Sequence, residues 1–450
     1  MRRLRTPSDL PVPEVRLLYF RRTWAEAKAM NSPLDGADGP HIPAPDPAAT
    51  EAGAAPNWRR TLFLMLGIQL GMNMGFSVLS PVMPLFLPQL GVRDPAHIEL
   101  WAGALSAVTP LVAAFASPLW GRVADRRGRK LMVLRSCFAI AGFMGLMSLA
   151  GNVWQFAGLR ALMGAFAGFN AATISLVASQ VPPQRLGYSL GWLGTGQLVG
   201  ALIGPLLGGL IADATGSLRA PFAFTAGVCA LCGMLATVLV RERFSPPTTG
   251  ASKATLVQSF GVLSRSPGLL PLFVVLLLAQ FGVQAVQPVV TLYVEQLLGP
   301  VPALATLGGL AFSVTGVADL VASPFLGRRS DVLGYRRVLL IALGGAALAS
   351  APQAFVPGYW SFVAARFALG LFVGGILPTA NALVGRLAPA GDRGTVYGVT
   401  ASAMFLGQSL GPLSGGAIAA TLGLQWVFLV TAVLLTANLL WVWAKVPEVR

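Results

Sequence analysis

From residue 61 onward the chain is a succession of apolar stretches, each about as long as a helix must be to cross a bilayer, which leaves few folds open. A hydrocarbon core of ~30 Å takes ~20 residues of α-helix at ~1.5 Å each. Twelve stretches qualify: 61–88, 100–120, 131–150, 153–178, 188–212 and 221–240, then 268–296, 303–326, 338–355, 359–384, 394–420 and 424–444. In lipid a backbone must satisfy its own hydrogen bonds, and these stretches are too long for barrel strands. The expected fold is therefore all-α and membrane-embedded. Composition agrees: 11% of residues are charged, where a soluble domain carries about a quarter.

A net charge of +15 would also suit a nucleic-acid protein, so the placement of the 32 Lys and Arg residues has to decide. With the N-terminus inside, the cytoplasmic segments together with Arg135, at the cytoplasmic end of the 131–150 stretch, hold 28 of them, the outer loops hold Arg93 and Arg219, and the depths of the spans hold Arg160 and Arg366. This is the positive-inside asymmetry, and it predicts cytoplasmic termini. It leaves no folded basic domain to hold nucleic acid.

Cys137, Cys229 and Cys232 all fall in apolar spans, so the CxxC spacing of the last two reads as packing and not as a redox pair. With His41 in the tail and His97 in an outer loop, no metal cluster is expected. No GxxxxGK[ST] phosphate loop occurs, and the GTG at 194–196 lies in a span with no strand before it, so no nucleotide cofactor is expected either.

Residues 1–57 read as a disordered cytoplasmic tail, residues 241–267 as a polar linker and 445–450 as a short cytoplasmic end. Within the first tail, Glu14–Ala29 mixes aromatic and basic residues in a way that suits an inner membrane surface, and a start at Met30 is an equal reading. Between tail and end lie two six-helix bundles, 58–240 and 268–444, and they repeat. Gly121, Asp125, Gly128 and Arg160 recur as Gly327, Asp331, Gly334 and Arg366 at an offset of 206. Gly191, Gly200, Gly204, Pro205, Gly208 and Gly209 recur as Gly398, Gly407, Gly411, Pro412, Gly415 and Gly416 at an offset of 207. Parallel repeats describe a carrier whose site lies between its halves near the bilayer midplane.

The loop GRVADRRGRK at 121–130 supplies Gly121, Asp125, Arg126, Gly128, Arg129 and Lys130. It resembles the signature between the second and third helices of the major facilitator superfamily. Gly128 permits the tight turn, and Asp125 is placed to meet cations or a helix N-terminus; in the family such contacts latch the cytoplasmic side shut. The second copy keeps Gly327, Asp331, Gly334, Arg336 and Arg337 but has Val332 in the place of Arg126, so a weaker latch is expected there.

The glycine pattern of the fifth span resembles the motif of drug and proton antiporters, although its full recurrence in the eleventh span also fits common ancestry of the halves. Packing of helices backbone to backbone accounts for part of it. Arg160, followed by Gly164 and Gly168, resembles the fourth-helix motif of the same group, where the arginine is assigned to proton coupling. Arg366 is its repeat mate, with a structural hydrogen-bonding role as the alternative. Charges at membrane depth are costly, which makes them functional candidates. Asp319, the acid well inside a span, lies ~12 Å from the inner surface and Arg366 ~10 Å from the outer one. Asp319 either carries the proton or pairs with loop arginines below it.

Gln280, Gln284 and Gln287 share one face of the seventh span, as Gln69, Asn73 and Ser77 share one of the first. Both faces are expected to line the central cavity, with hydrogen bonding between helices as the alternative. The resemblance thus implies a monomeric, twelve-helix exporter of the bacterial multidrug and tetracycline type. It would sit in the inner membrane lipid and exchange protons for small amphiphilic molecules, with neither enzyme activity nor a cofactor. Many cation exporters carry an acid in the first helix, and this chain has Gln69 and Asn73, which favours neutral or anionic amphiphiles. Proton-coupled uptake of a sugar or organic acid, and a sensor that moves nothing, stay open as alternatives.

Overall fold

The computed structural model describes residues 58–242, 268–388 and 393–448; the expected tail 1–57, most of the linker 241–267 and the side chain of Asp125 lie outside the described residues. The first bundle comprises α1 (Trp58–Val78), α2 (Val82–Phe86), α3 (Pro95–Arg127), α4 (Arg129–Ser148), α5 (Val153–Ala165), α6 (Phe169–Ala178), α7 (Leu186–Thr215) and α8 (Ala220–Leu239). The second comprises α9 (Leu269–Ala285), α10 (Val290–Leu298), α11 (Leu304–Leu333), α12 (Tyr335–Ser350), α13 (Tyr359–Leu387), α14 (Arg393–Leu422) and α15 (Leu424–Lys445). Pairs α1–α2, α5–α6 and α9–α10 each form one broken span, giving twelve spans in two repeats. Eleven of these spans are long and apolar enough to cross a membrane by length and composition, and α14 adds a 30-residue helix.

The breaks follow from the sequence. Pro81 and Pro288 lack a backbone N–H, and they sit where α1 gives way to α2 and α9 to α10. The fourth span breaks at Gly168, whose φ of 113° lies in the left-handed region open to glycine. Its counterpart in the second half, α13, runs unbroken through Gly374.

Within each half the same contacts recur at the repeat offset. Thr225 Oγ1 donates to Gly75 O at 3.3 Å, and Thr431 Oγ1 to Gly282 O at 3.3 Å, tying the sixth span to the first and the twelfth to the seventh. Phe86, Phe156 and Phe222 form a buried ring trio with centroids 5.2–5.9 Å apart. Tyr293, Phe362 and Phe428 form its counterpart at 4.8–5.6 Å. Cys229 and Cys232 are buried against Gly75 and Gly71 of α1, in keeping with a packing role.

The glycine motif sets the close approaches. A methyl group at Gly200 would lie 2.5 Å from Leu70 O, and one at Gly204 2.5 Å from Met74 O, so α7 lies directly on α1. Gly407 and Gly411 lay α14 on α9 in the same way, at 2.7 Å from Leu277 O and 2.5 Å from Phe281 O. The last glycine of each copy crosses between halves. Gly209 meets Ala305 and Thr306 of α11, while Gly416 meets Glu99 O and Gly103 of α3, at 2.5 and 2.9 Å.

These crossings all lie at one end of the bundle, the end holding the 91–94 and 299–303 turns. At the other end, where the 121–130 and 327–337 turns lie, Gly121, Gly191, Gly327 and Gly398 have open space around them. The halves are closed on each other at the first end.

Candidate functional site: a cavity between the halves

Between the bundles lies a cavity of about 230 Å³ whose walls include Ser77, Ser80, Gln287, Phe312, Asp319 and Arg366. Ser77, Ser80 and Gln287 also line an adjoining lobe of about 360 Å³ with Ser106, Thr109, Arg160, Gln284 and Gln408. The three charged residues singled out at membrane depth therefore border two neighbouring cavities that share Ser77, Ser80 and Gln287.

Each arginine is held by a carbonyl of the neighbouring span. Arg160 Nε donates to Leu105 O at 2.8 Å, and Arg366 Nε donates to Ala311 O at 3.4 Å, again one repeat apart. Arg366 is 6% exposed and lies 5.8 Å from the Phe312 ring. Asp319 has no counterpart, because the position one repeat earlier is Ala113. Its Oδ1 accepts from Ser323 Oγ at 2.9 Å, and the same hydroxyl reaches Gly374 O at 2.7 Å. Gly374 leaves the room that Asp319 occupies: a methyl group there would lie 2.7 Å from Asp319 Oδ1.

The amide stripes divide. Gln69 is 1% exposed and donates to Asn170 Oδ1 at 2.8 Å, and Asn73 reaches the same oxygen at 3.4 Å as well as Gln69 O at 2.8 Å. Those two join the first span to the fourth, while Ser77, Gln284 and Gln287 reach the cavity walls. The Gln280 Cβ rests on Gly407 as the Asn73 Cβ rests on Gly200.

At the end opposite the closed seams, Gly128 and Gly334 turn the chain with φ of 96° and 93°. Glu242 accepts the backbone N–H groups of Arg129 and Lys130 at 3.0 and 2.8 Å, capping α4, while Lys130 Nζ donates to Thr237 O at 2.9 Å. In the second copy Asp331 accepts from Tyr335 Oη, Arg336 donates to Trp443 O, and Arg337 pairs with Glu448 at 3.3 Å. Arg126 is exposed there.

Sequence reasoning passed over several of these partners. Glu242 and Glu448 are one repeat apart, and that offset was the available signal. Arg135, counted with the cytoplasmic segments, lies inside α4 instead. Its Nη2 donates to Phe166 O at 3.2 Å and Ala167 O at 2.7 Å, and its guanidinium lies 3.7 Å from the Trp120 ring. Together with Trp120 Nε1, which donates to Ala165 O at 2.6 Å, it satisfies carbonyls freed by the Gly168 break. Among the described residues, no three His, Cys, Asp or Glu side chains gather as a metal site.

Two pseudo-repeated bundles around a polar cavity, closed on each other at one end, define a carrier that works by alternating access. Residues 65–308 and 300–450 match the Major Facilitator Superfamily. The multidrug resistance protein MdtG of Serratia proteamaculans is 40% identical over 391 residues, covering 86% of this chain and 94% of that protein. MdtG of Salmonella typhimurium is 39% identical over 398 residues, covering 88% and 97%. The chain belongs to the major facilitator superfamily and is a multi-pass membrane transporter. Solved structures agree on the fold. A bacterial homologue of the human lysosomal transporter Spinster, inward-facing and unoccupied, aligns with TM-score 0.70 at 15% identity, covering 87% of this chain and 98% of that one. A point mutant of the nucleoside transporter NupG aligns with TM-score 0.72 at 13% identity, covering 86% and 100%.

Proposed function

We propose that the protein exports small amphiphilic compounds, neutral or anionic, across the bacterial inner membrane as a monomer, in exchange for protons. The observation that carries this reading is the pair of neighbouring cavities between the halves, one bordered by Asp319 and Arg366 and the other by Arg160, with Ser77, Ser80 and Gln287 common to both. The relatives named above as multidrug resistance proteins support export of drug-like molecules. The charge asymmetry of the loops supports cytoplasmic termini, and with that orientation the structure is closed toward the outside.

In this cycle substrate enters from the cytoplasm, apolar parts against Leu198, Leu202 and Phe312, polar parts against Gln284, Gln287 and the arginines. The halves then rock, the 121–130 and 327–337 turns meet, and the outer seams part. Asp319 is the group that exchanges a proton for substrate: proton and substrate occupy the cavity in turn, the carboxylate taking up a proton from the outside as substrate leaves and giving it up to the cytoplasm as substrate enters.

A panel of antibiotics, dyes and bile-salt-like detergents tested on deletion and overexpressing strains identifies substrates. Vesicles with an imposed pH gradient then decide the mode. Export against proton flow supports the reading; movement of substrate with protons would establish an uptake symporter, and no flux of any panel compound would establish a sensor.

A further inference from the structure

The two helices that meet the opposite half at the closed end are capped differently. The first, α3, carries its own cap: Asp94 stands at the N-cap, and its carboxylate accepts the backbone N–H of His97 at 3.0 Å. Its repeat mate α11 begins after Ala303, which has no side chain able to accept a hydrogen bond. The missing acceptor comes from the other half. Asp213, near the end of α7, accepts both the backbone N–H of Thr306 at 2.7 Å and the Thr306 hydroxyl at 2.6 Å through one oxygen, Oδ2. A helix N-terminus leaves its first N–H groups unsatisfied and carries partial positive charge, so a carboxylate there is favoured on both counts.

We infer that Asp213 is the latch of the outer gate, setting how much of the transporter rests closed to the outside. The cap of α11 exists only while the two halves touch, so opening this seam strips a helix terminus of its acceptor. Among the described residues no such bond crosses the other seam. Along the second and eleventh spans Gly103 and Gly416 touch, while the positions one repeat from Asp213 and Thr306 are Ala420 and Leu100. Along the latched seam Ser313 Oγ also donates across the halves to Leu202 O at 2.6 Å. Outer opening is therefore controlled at the seam between α7 and α11, and Asp213 acts as a positioning residue that touches neither substrate nor cavity.

The inference rests on the alternating-access reading and on the orientation proposed for it, and the test separates the two. Ser80 lines the cavity, so a Ser80→Cys reporter in vesicles of either sidedness measures access from each face with a membrane-impermeant maleimide. Three changes are placed in that background. Asp213→Ala removes the acceptor, Thr306→Val removes the hydroxyl alone, and Ala303→Ser gives α11 a cap of its own without loss of any bond in the helix. Asp213→Ala is expected to raise the ratio of outer to inner labelling about tenfold, as two bonds to a charged acceptor are lost. Thr306→Val and Ala303→Ser are expected to raise it about threefold each. Since Ala303→Ser does not weaken the fold, its shift cannot be ascribed to misfolding. Ratios within twofold of the reporter alone for all three variants would overturn the latch. A tenfold shift toward the opposite face would keep the latch and overturn the orientation.

Discussion

The first and second halves of this transporter share their scaffold and differ in their chemistry. Arg160 and Arg366 hold equivalent carbonyls, Thr225 and Thr431 tie equivalent spans, and two trios of rings fill equivalent corners. Around Gly168 and Gly374, one repeat apart, the likeness ends. In the first half the span breaks at Gly168 and Arg135 fills the gap with donors; in the second half Ile341 stands where Arg135 would be, the helix continues, and Gly374 makes room for Asp319. The capping of α3 and α11 differs in the same way. What repeats keeps two rigid bodies in register, while what fails to repeat includes the carboxylate and the latch on which the proposed exchange cycle rests.

The comparison breaks most visibly at the closed seams. Gly209→Val and Gly416→Val should each cut transport by about 30-fold, because overpacking by about 2 kcal/mol falls on the closed state alone. Initial rates of efflux from loaded cells, normalised to membrane protein, measure both. Equal losses fit a shared scaffold; an unimpaired Gly416→Val would show that only one seam closes tightly.

A smaller contrast is expected at the turns of the opposite end. Asp125→Asn should slow transport about tenfold and Asp331→Asn about threefold, since the second copy has Val332 in the place of Arg126 and its Asp331 is engaged by Tyr335. Flux assays on properly inserted protein check this, and a reversed order would overturn the ranking of the two turns.

The smallest effect concerns stability. Glu242→Gln weakens two hydrogen bonds to the start of α4 and should cost about 1–2 kcal/mol. Glu448→Gln loses one exposed pair with Arg337 and should cost less than about 0.5 kcal/mol. Thermal denaturation of the detergent-solubilised protein distinguishes them.

The fold was legible because membrane helices announce themselves by length and hydropathy, and because the repeat can be counted as an offset in glycines, prolines and arginines. The cavity arginines and Asp319 were legible as charges where lipid tolerates few. Asp213 was not, because its position close to a helix end looks like any loop acid until the opposite half is placed against it. Gln69 and Ser77 share a helix face, yet the first meets Asn170 and the second the cavity; helix periodicity gives a face, and only the neighbouring spans decide what that face meets. Arg135 was obscured by proximity to the basic turn at 121–130, since position along the chain does not reveal a side chain directed inward at a helix break.

The central claim is that the unrepeated carboxylate, Asp319, couples protons to substrate. It is tested most directly by reconstituting purified wild-type and Asp319→Asn protein into vesicles and measuring, in parallel, substrate exchange without a gradient and export driven by an imposed pH gradient. The account predicts that Asp319→Asn retains exchange within about threefold, a binding change below ~1 kcal/mol, and loses gradient-driven accumulation altogether. Accumulation by Asp319→Asn equal to that of wild type would contradict it and place proton coupling elsewhere in the cavity.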